Sequence, residues 1–360
     1  MKIFEKIKIN IKDGKSYQYR LFGIPIFQYD KFKDSKITLK NLIHFSPKIK
    51  NNEPVFYLKV NRNEDYTFSC LQHWINTVEM MGADYYILCD KPKLERSILK
   101  RIVFPNSNIK FLKSCRDNNL KKYVDKIATK FWAKAAYAHL TTFLHAKNNG
   151  FQSFWNVDAD DTTFTVMPEK CIQILKKAEN YAKDNKIDAF SFDMWNSRTK
   201  NVHWSFGITY TQMNKDWFDI FDKNIKIDWK TKYSSYATEW NADFFFTHLR
   251  DTGEATIQQF YVDNLIFIHW GSFMINIIGS NICQFKNGKI IYPIISKILK
   301  NKDVGEIPIA KESIKFDLNI TEDECINFIL NYVTILNLFS EKTQKLWCIE
   351  TICQNLDRSY

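Results

Sequence analysis

No stretch of this chain approaches the roughly 20 consecutive apolar residues that a bilayer-spanning helix needs. The opening MKIFEKIKINIKDGK also lacks the apolar core of a secretory leader, so residence in the cytoplasm is the expectation. Eight cysteines (Cys70, Cys89, Cys115, Cys171, Cys283, Cys325, Cys348 and Cys353) are scattered, with no C-x-x-C pair and no histidine at zinc-finger spacing. That pattern argues against a disulfide framework or structural zinc and fits reduced thiols. There is no internal repeat, no low-complexity tract and no nucleic-acid-binding module, so no nucleic-acid partner is expected.

What is present is a 360-residue chain with 45% hydrophobic content, enough for one large α/β body with appendages. The net charge of +11 is unevenly distributed. Residues 1 to 50 hold 12 Lys/Arg against 4 Asp/Glu, a net of +8. Such a basic arm suits an anionic partner such as lipid headgroups, or is a solvated lysine-rich surface. SYQYRLFGIPIFQYD alternates apolar and polar positions on either side of Gly23 and Pro25, which is a hairpin signature, and NNEP at 51–54 reads as a linker. Residues 1–52 are therefore expected to form a basic extension, 53–284 the main domain and 285–360 a helical cap.

The main domain opens with a βαβ pattern. PVFYLKV (54–60) is a buried-strand run, and 66–82 spaces Phe68, Leu71, Ile75 and Val78 on one helical face before Gly82. DYYILCD (84–90) is the second strand. NIKFLKS (108–114) predicts a third strand, residues 123–149 one long helix ending at NNG, and FQSFWNV a fourth strand. Further on, IDAFSFDMW and VHWSFGITYTQM are strand-like and NKDWFDIFDKN is a short helix. ATEWNADFFFTHLRDTG (237–253) reads as a helix with Glu239 and Asp243 one turn apart on one face. NLIFIHWGS is expected as a late strand.

The fourth strand stops at three carboxylates, in FWNVDADDT (154–162). Asp158, Asp160 and Asp161 repel one another unless solvent or a cation neutralises them. With 25 aspartates in the chain a bare D-x-D is commonplace, so its setting carries the weight. That setting is the carboxyl end of a strand, where open α/β sheets bind their ligands.

In the order of its elements, and in an apolar strand ending in NVDADD with a histidine on a late strand, residues 54–272 resemble the nucleotide-sugar glycosyltransferases of the GT-A fold. The segment YRLFGIPIF resembles those preceding the catalytic domain in bacterial lipooligosaccharide and capsule glycosyltransferases. The resemblance implies a Rossmann-like mixed sheet flanked by helices. It also implies sugar transfer from a nucleotide diphosphate donor, UDP-linked for example, to a glycan or lipid-linked acceptor in surface polysaccharide synthesis, at the inner membrane face. It assigns Asp158, Asp160 and His269 to an Mn²⁺ or Mg²⁺ ion, with Asp161 as an additional ligand and Asp158 also reaching the ribose or sugar. Hard oxygen ligands suit either ion, which would stabilise charge growing on the leaving diphosphate. The nucleotide is expected over Val60, Asn61, Arg62 and Asp90. Glu239, Asp243 and Asp193 are the candidate general bases, and Trp195, Trp204 and Trp240 candidate platforms for acceptor sugars.

Two other readings fit less of the sequence. A nucleotidyltransferase would share the fold and the carboxylates, but it normally has a glycine-rich, basic phosphate loop, and NRNEDYT after the first strand has no glycine. A non-catalytic metal-binding module of EF-hand type would use Asp158, Asp160, Thr162 and Glu169 as positions 1, 3, 5 and 12. It has Thr163 where the loop turn needs glycine.

Overall fold

A computed structural model of the chain describes residues 3–21, 24–33, 37–41, 54–63, 65–106, 108–159, 168–192, 204, 206–234, 239–262, 284–286, 289–291 and 313–316. The fold is mixed α/β. Four antiparallel strands come first: β1 (Phe4–Ile11), β2 (Gly14–Leu21), β3 (Ile24–Phe32) and β4 (Ile37–Asn41). The alternation seen in the sequence separates their faces. Ile7, Ile9 and Ile11 are buried on one side, while Lys6 and Lys8 are exposed on the other.

The main body begins with β5 (Val55–Lys59), α1 (Asp65–Met81), β6 (Tyr85–Leu88), α2 (Pro92–Arg101), β7 (Val103–Phe104) and β8 (Phe111–Leu112). Phe68, Leu71, Ile75 and Val78 of α1 are all buried, as their spacing requires. β7 does not join the main sheet. It pairs in parallel with β1, so that Asn10 lies opposite Val103, and this extends the N-terminal sheet onto the body.

The long helix expected over 123–149 is instead two helices, α3 (Asn118–Ile127) and α4 (Ala133–Asn149). Ala128 takes up extended backbone, and the next amide, that of Thr129, donates to the Trp240 carbonyl at 2.8 Å. A tertiary hydrogen bond thus replaces the helical one. Gly150, at φ 68°, ends α4 in the left-handed conformation that a side chain would resist, and the chain turns into β9 (Ser153–Asp158).

The remaining elements are α5 (Pro168–Asp184), β10 (Ala189–Phe192), β11 (Ile208–Gln212), α6 (Trp217–Asn224), the single turn α7 (Trp229–Lys232), α8 (Ala242–Thr252) and β12 (Ile257–Val262). A small hairpin, β13 (Gln284–Lys286) with β14 (Lys289–Ile291), and then β15 (Ser313–Phe316) complete the described chain. β15 pairs in parallel with β12, a sheet contribution that the helical reading of the tail did not include. The strand expected at NLIFIHWGS and the helical patterns beyond residue 320 lie outside the described residues.

Among the described residues the main sheet has the order β15-β12-β10-β11-β9-β5-β6-β8. Only β11 runs antiparallel to its neighbours. From β5 the chain steps outward through β6 to β8, then returns to place β9 on the other side of β5. That reversal is a topological switch point, and it opens a crevice at the carboxyl ends of β5 and β9. Helices cover both faces of the sheet. Phe56, Leu58, Trp155 and Val157 point into a core shared with α1, α2 and α5. Val55, Tyr57 and Phe154 point into a second core shared with α3, α4, α6 and α8.

Candidate active site

The crevice is built by strand register. Lys59 and Asp158 are directly paired at the ends of β5 and β9. Side chains alternate along a strand, so both share the face of Tyr57 and Asn156 and lie toward α4 and α8. Lys59 is almost wholly buried, with 6% of its side chain accessible, whereas Asp158 keeps 39%. A lysine is tolerated at such depth only when its ammonium is satisfied. Here its three donors meet three acceptors: Asp158 Oδ1 at 3.0 Å, His139 Nδ1 of α4 at 2.8 Å and the Phe206 carbonyl at 3.3 Å.

This tripod fixes the state of its neighbours. Because Nδ1 of His139 accepts from an ammonium, the ring proton belongs on Nε2, an assignment made from the hydrogen-bond network. Burial and then the adjacent Lys59 charge hold His139 neutral, its pKa well below the usual imidazole range. The ring stacks on Phe206 at 4.2 Å between centroids. Phe206 is therefore gripped three ways, because its amide also donates to Asp243 Oδ1 at 3.0 Å. The turn of β9 is held by backbone as well: Asp158 N donates to Gly207 O and Ala159 N to Lys59 O.

Asp243 sits in the first turn of α8, behind the Asn241 cap whose side chain accepts from Phe244 N. Burial is the largest influence on it and raises its carboxyl pKa; the nearby Asp158 charge adds to the rise, while the Phe206 amide and Lys59 oppose it. The net result is a pKa of about 7. An acid poised near neutrality beside a second carboxylate can take up or release a proton under working conditions. The helix begins too late for the geometry expected of its acids. Asn241 is the cap, so Glu239 lies outside α8, exposed, and not one turn above Asp243 on a shared face.

The other expected residues spread along the same sheet edge. Val60 is buried, and its amide is already committed to the Leu88 carbonyl. The Asn61 carbonyl accepts from Lys91 Nζ at 2.8 Å. Arg62, half-buried, follows in the same loop. Asp90 follows β6, and its two oxygens accept from Ser114 N at 2.7 Å and from Arg116 at 3.0 Å. Burial works to raise the Asp90 pKa, but those bonds and the Arg116 charge outweigh it and hold the group below the ordinary carboxylate range. Trp204 is fully buried and stacks with Phe246, which makes it core, and Trp240 packs edge-on against Trp229. Asp160, Asp161, Asp193, Trp195 and His269 lie outside the described residues.

Of the residues expected to hold a divalent cation, only Asp158 is among those described. Asp158 presents an accessible carboxylate of the hard-oxygen type such an ion prefers, although one oxygen already faces the Lys59 ammonium. Among the described residues no group of three or more metal-ligating side chains converges. A complete shell would have to draw on residues outside the described ones.

Sequence reasoning missed Lys59, His139 and Arg116. Only Lys59 had a signal, as a lone cation inside an apolar run that reads as a strand buried on both faces.

No protein-family model matches the chain, and no curated protein matches it. Among solved structures, a protein from Desulfovibrio desulfuricans G20 that carries the provisional name nucleotide-diphospho-sugar transferase aligns with a TM-score of 0.37 and 10% identity. The alignment spans 72% of this chain and 98% of that one. At that level of similarity the residues themselves have to carry any functional reading.

Proposed function

We propose that this chain is a glycosyltransferase that moves a sugar from a nucleoside diphosphate donor to a glycan or lipid-linked acceptor in bacterial surface polysaccharide synthesis. The observation that carries the reading is the pairing of Lys59 with Asp158 across the switch-point crevice, with Asp243 held near neutrality beside them. A buried cation, an accessible carboxylate and a carboxyl group that can exchange its proton suit transfer of a sugar to an acceptor hydroxyl with departure of a nucleoside diphosphate. The resemblance of NVDADD to the D-x-D segment of GT-A enzymes supports the same assignment.

Asp158 and Asp160, with His269, would hold Mn²⁺ or Mg²⁺, which would supply positive charge where the leaving diphosphate gains negative charge. Lys59 keeps Asp158 aimed along the crevice while preserving overall neutrality. Asp243 takes the proton of the acceptor hydroxyl, a role open to it once pH exceeds its pKa of about 7. Asp193 and Glu239 are the remaining candidates for that step. The nucleotide lies over the loop at Val60, Asn61 and Arg62, and Asp90, already anchored by Ser114 and Arg116, receives a base or ribose donor.

The test is a panel of nucleoside diphosphates and nucleotide sugars read by melting temperature, with Mn²⁺ and with excess chelator. UDP or a sibling should raise the melting temperature in Mn²⁺ and much less in chelator. Asp160→Asn should lose that difference without losing stability, because it relieves carboxylate repulsion. Nucleotide-sugar turnover should fall about 10²- to 10⁴-fold in Asp243→Asn. Equal nucleotide binding with and without metal would end the metal assignment, and binding without turnover of any donor would favour a non-catalytic module.

A further inference from the structure

We infer that the outer face of the N-terminal sheet is a docking surface for an anionic lipid bilayer. Strand register sorts this face into tiers. At one end of this face Phe4 pairs with Leu21, and both are exposed, at 56% and 40%; Ile3, 65% exposed, precedes Phe4 at the strand's entry. These are three of the seven exposed large hydrophobic side chains among the described residues, gathered at one end of one sheet. The middle tiers are aromatic: Tyr19 lies beside Phe27, and Tyr17 stacks on Tyr29 at 4.9 Å. Lys6 sits 4.7 Å above the Tyr17 ring. At the far end Lys15 pairs with Lys31, and Lys8 is close enough to Lys15 to lower its pKa, first by hydrogen-bonding to it and then by repulsion.

Among the described residues the acids of this sheet lie elsewhere. Glu5 faces inward to Arg96 at 3.1 Å, Asp30 is buried on the inner side, and Asp13 lies in the turn between β1 and β2. Like charges side by side across strands destabilise a sheet unless a counter-charge is available. An anionic surface supplies one. The apolar end selects a membrane over a soluble polyanion: exposed Phe, Leu and Ile gain by entering the acyl boundary, tyrosines suit the headgroup layer, and lysines meet lipid phosphates. No helix among the described residues is long and apolar enough to cross a bilayer. This inference stands apart from the catalytic reading, since it uses no residue of the crevice.

The test uses the full chain and sedimentation with vesicles of phosphatidylcholine, with and without phosphatidylglycerol. Wild type should bind the anionic vesicles, and the binding should weaken as salt shortens the screening length from about 10 Å at 0.1 M to about 3 Å at 1 M. Replacing Lys8, Lys15 and Lys31 together by Gln should lower the partition coefficient about a hundredfold, at about 1 kcal/mol per lysine. Phe4→Ser with Leu21→Ser should lower it about tenfold or more. All variants change exposed positions, so none should melt below wild type, the lysine variant gaining slightly from relieved repulsion, and any UDP-induced shift should match wild type, which separates this test from that of the crevice. Wild type left in the supernatant, or unchanged binding by the lysine variant, would overturn the inference. So would unchanged vesicle binding by the Phe4/Leu21 variant alongside equally tight binding to heparin, which would point to a soluble polyanion.

Discussion

Lys59 stabilises the crevice because each of its three donors ends on an acceptor, and two of those acceptors are sealed from water. Lys59→Met would leave the Phe206 carbonyl without its buried donor, at about 1–3 kcal/mol, and His139 Nδ1 with only the Asn156 amide at 3.4 Å. Asp158 is accessible enough to turn to solvent, so the expected loss is about 1–3 kcal/mol by urea unfolding. Lys59→Arg should not restore it, because a planar guanidinium does not match a tripod of acceptors. A Lys59→Met protein with the wild-type urea midpoint would show that the tripod carries no stability. Asp243 makes a different prediction. Its carboxyl titrates near 7 in the folded chain and near 4 when unfolded, so the native state keeps a proton that the unfolded chain has lost between those values. The associated stability is full below about pH 4 and is lost as pH rises through about 7. Asp243→Asn stays uncharged and can still accept from the Phe206 amide. It should therefore be more stable than wild type at pH 8, with the gap closing toward pH 4. A gap independent of pH would refute the raised pKa.

At the level of elements, the N-terminal sheet is joined to the body by polar groups that face inward. Arg20 donates to Glu95 of α2 at 2.8 Å and to Gln18 at 2.6 Å, and Gln18 passes the network on to Gln28. Both ends of the ion pair are buried, so Arg20→Ala should cost about 3–5 kcal/mol, chiefly by stranding Glu95. Arg20→Met with Glu95→Leu should recover most of that loss in the same denaturation experiment. A negligible effect of Arg20→Ala would mean that the sheet is held by its apolar face alone. Much of this organisation was legible in the sequence. The strand and helix signals from 54 to 90 rest on local periodicity, and so does the placing of Asp158 at a strand end, whereas α2 was not read from the sequence. What was illegible depends on distant partners. Thr129 leaves its helix for Trp240, over a hundred residues away, and Glu239 is excluded from α8 because Asn241 takes the cap. His139 looks like any other polar residue of an amphipathic helix until Lys59, 80 residues earlier, is folded against it. β7, only two residues long, has no pattern of its own.

For the molecule as a whole, the position of β7 has a consequence for how the chain is made. β1 finds its parallel partner only at Val103–Phe104, and the inner face of Ile7, Ile9 and Ile11 belongs to the same core as Leu94, Ile98 and Leu99 of α2. The first sheet to leave the ribosome therefore cannot be covered until the chain has been synthesised past Phe104. At about 5–20 residues per second that delay is roughly 5–20 s. For that interval a strand edge and a row of isoleucines are exposed unpaired, which invites association between nascent chains. The lysines on the opposite face, which share one sign and repel their counterparts on neighbouring chains, then act as a colloidal brake on that association until the body arrives to cover it.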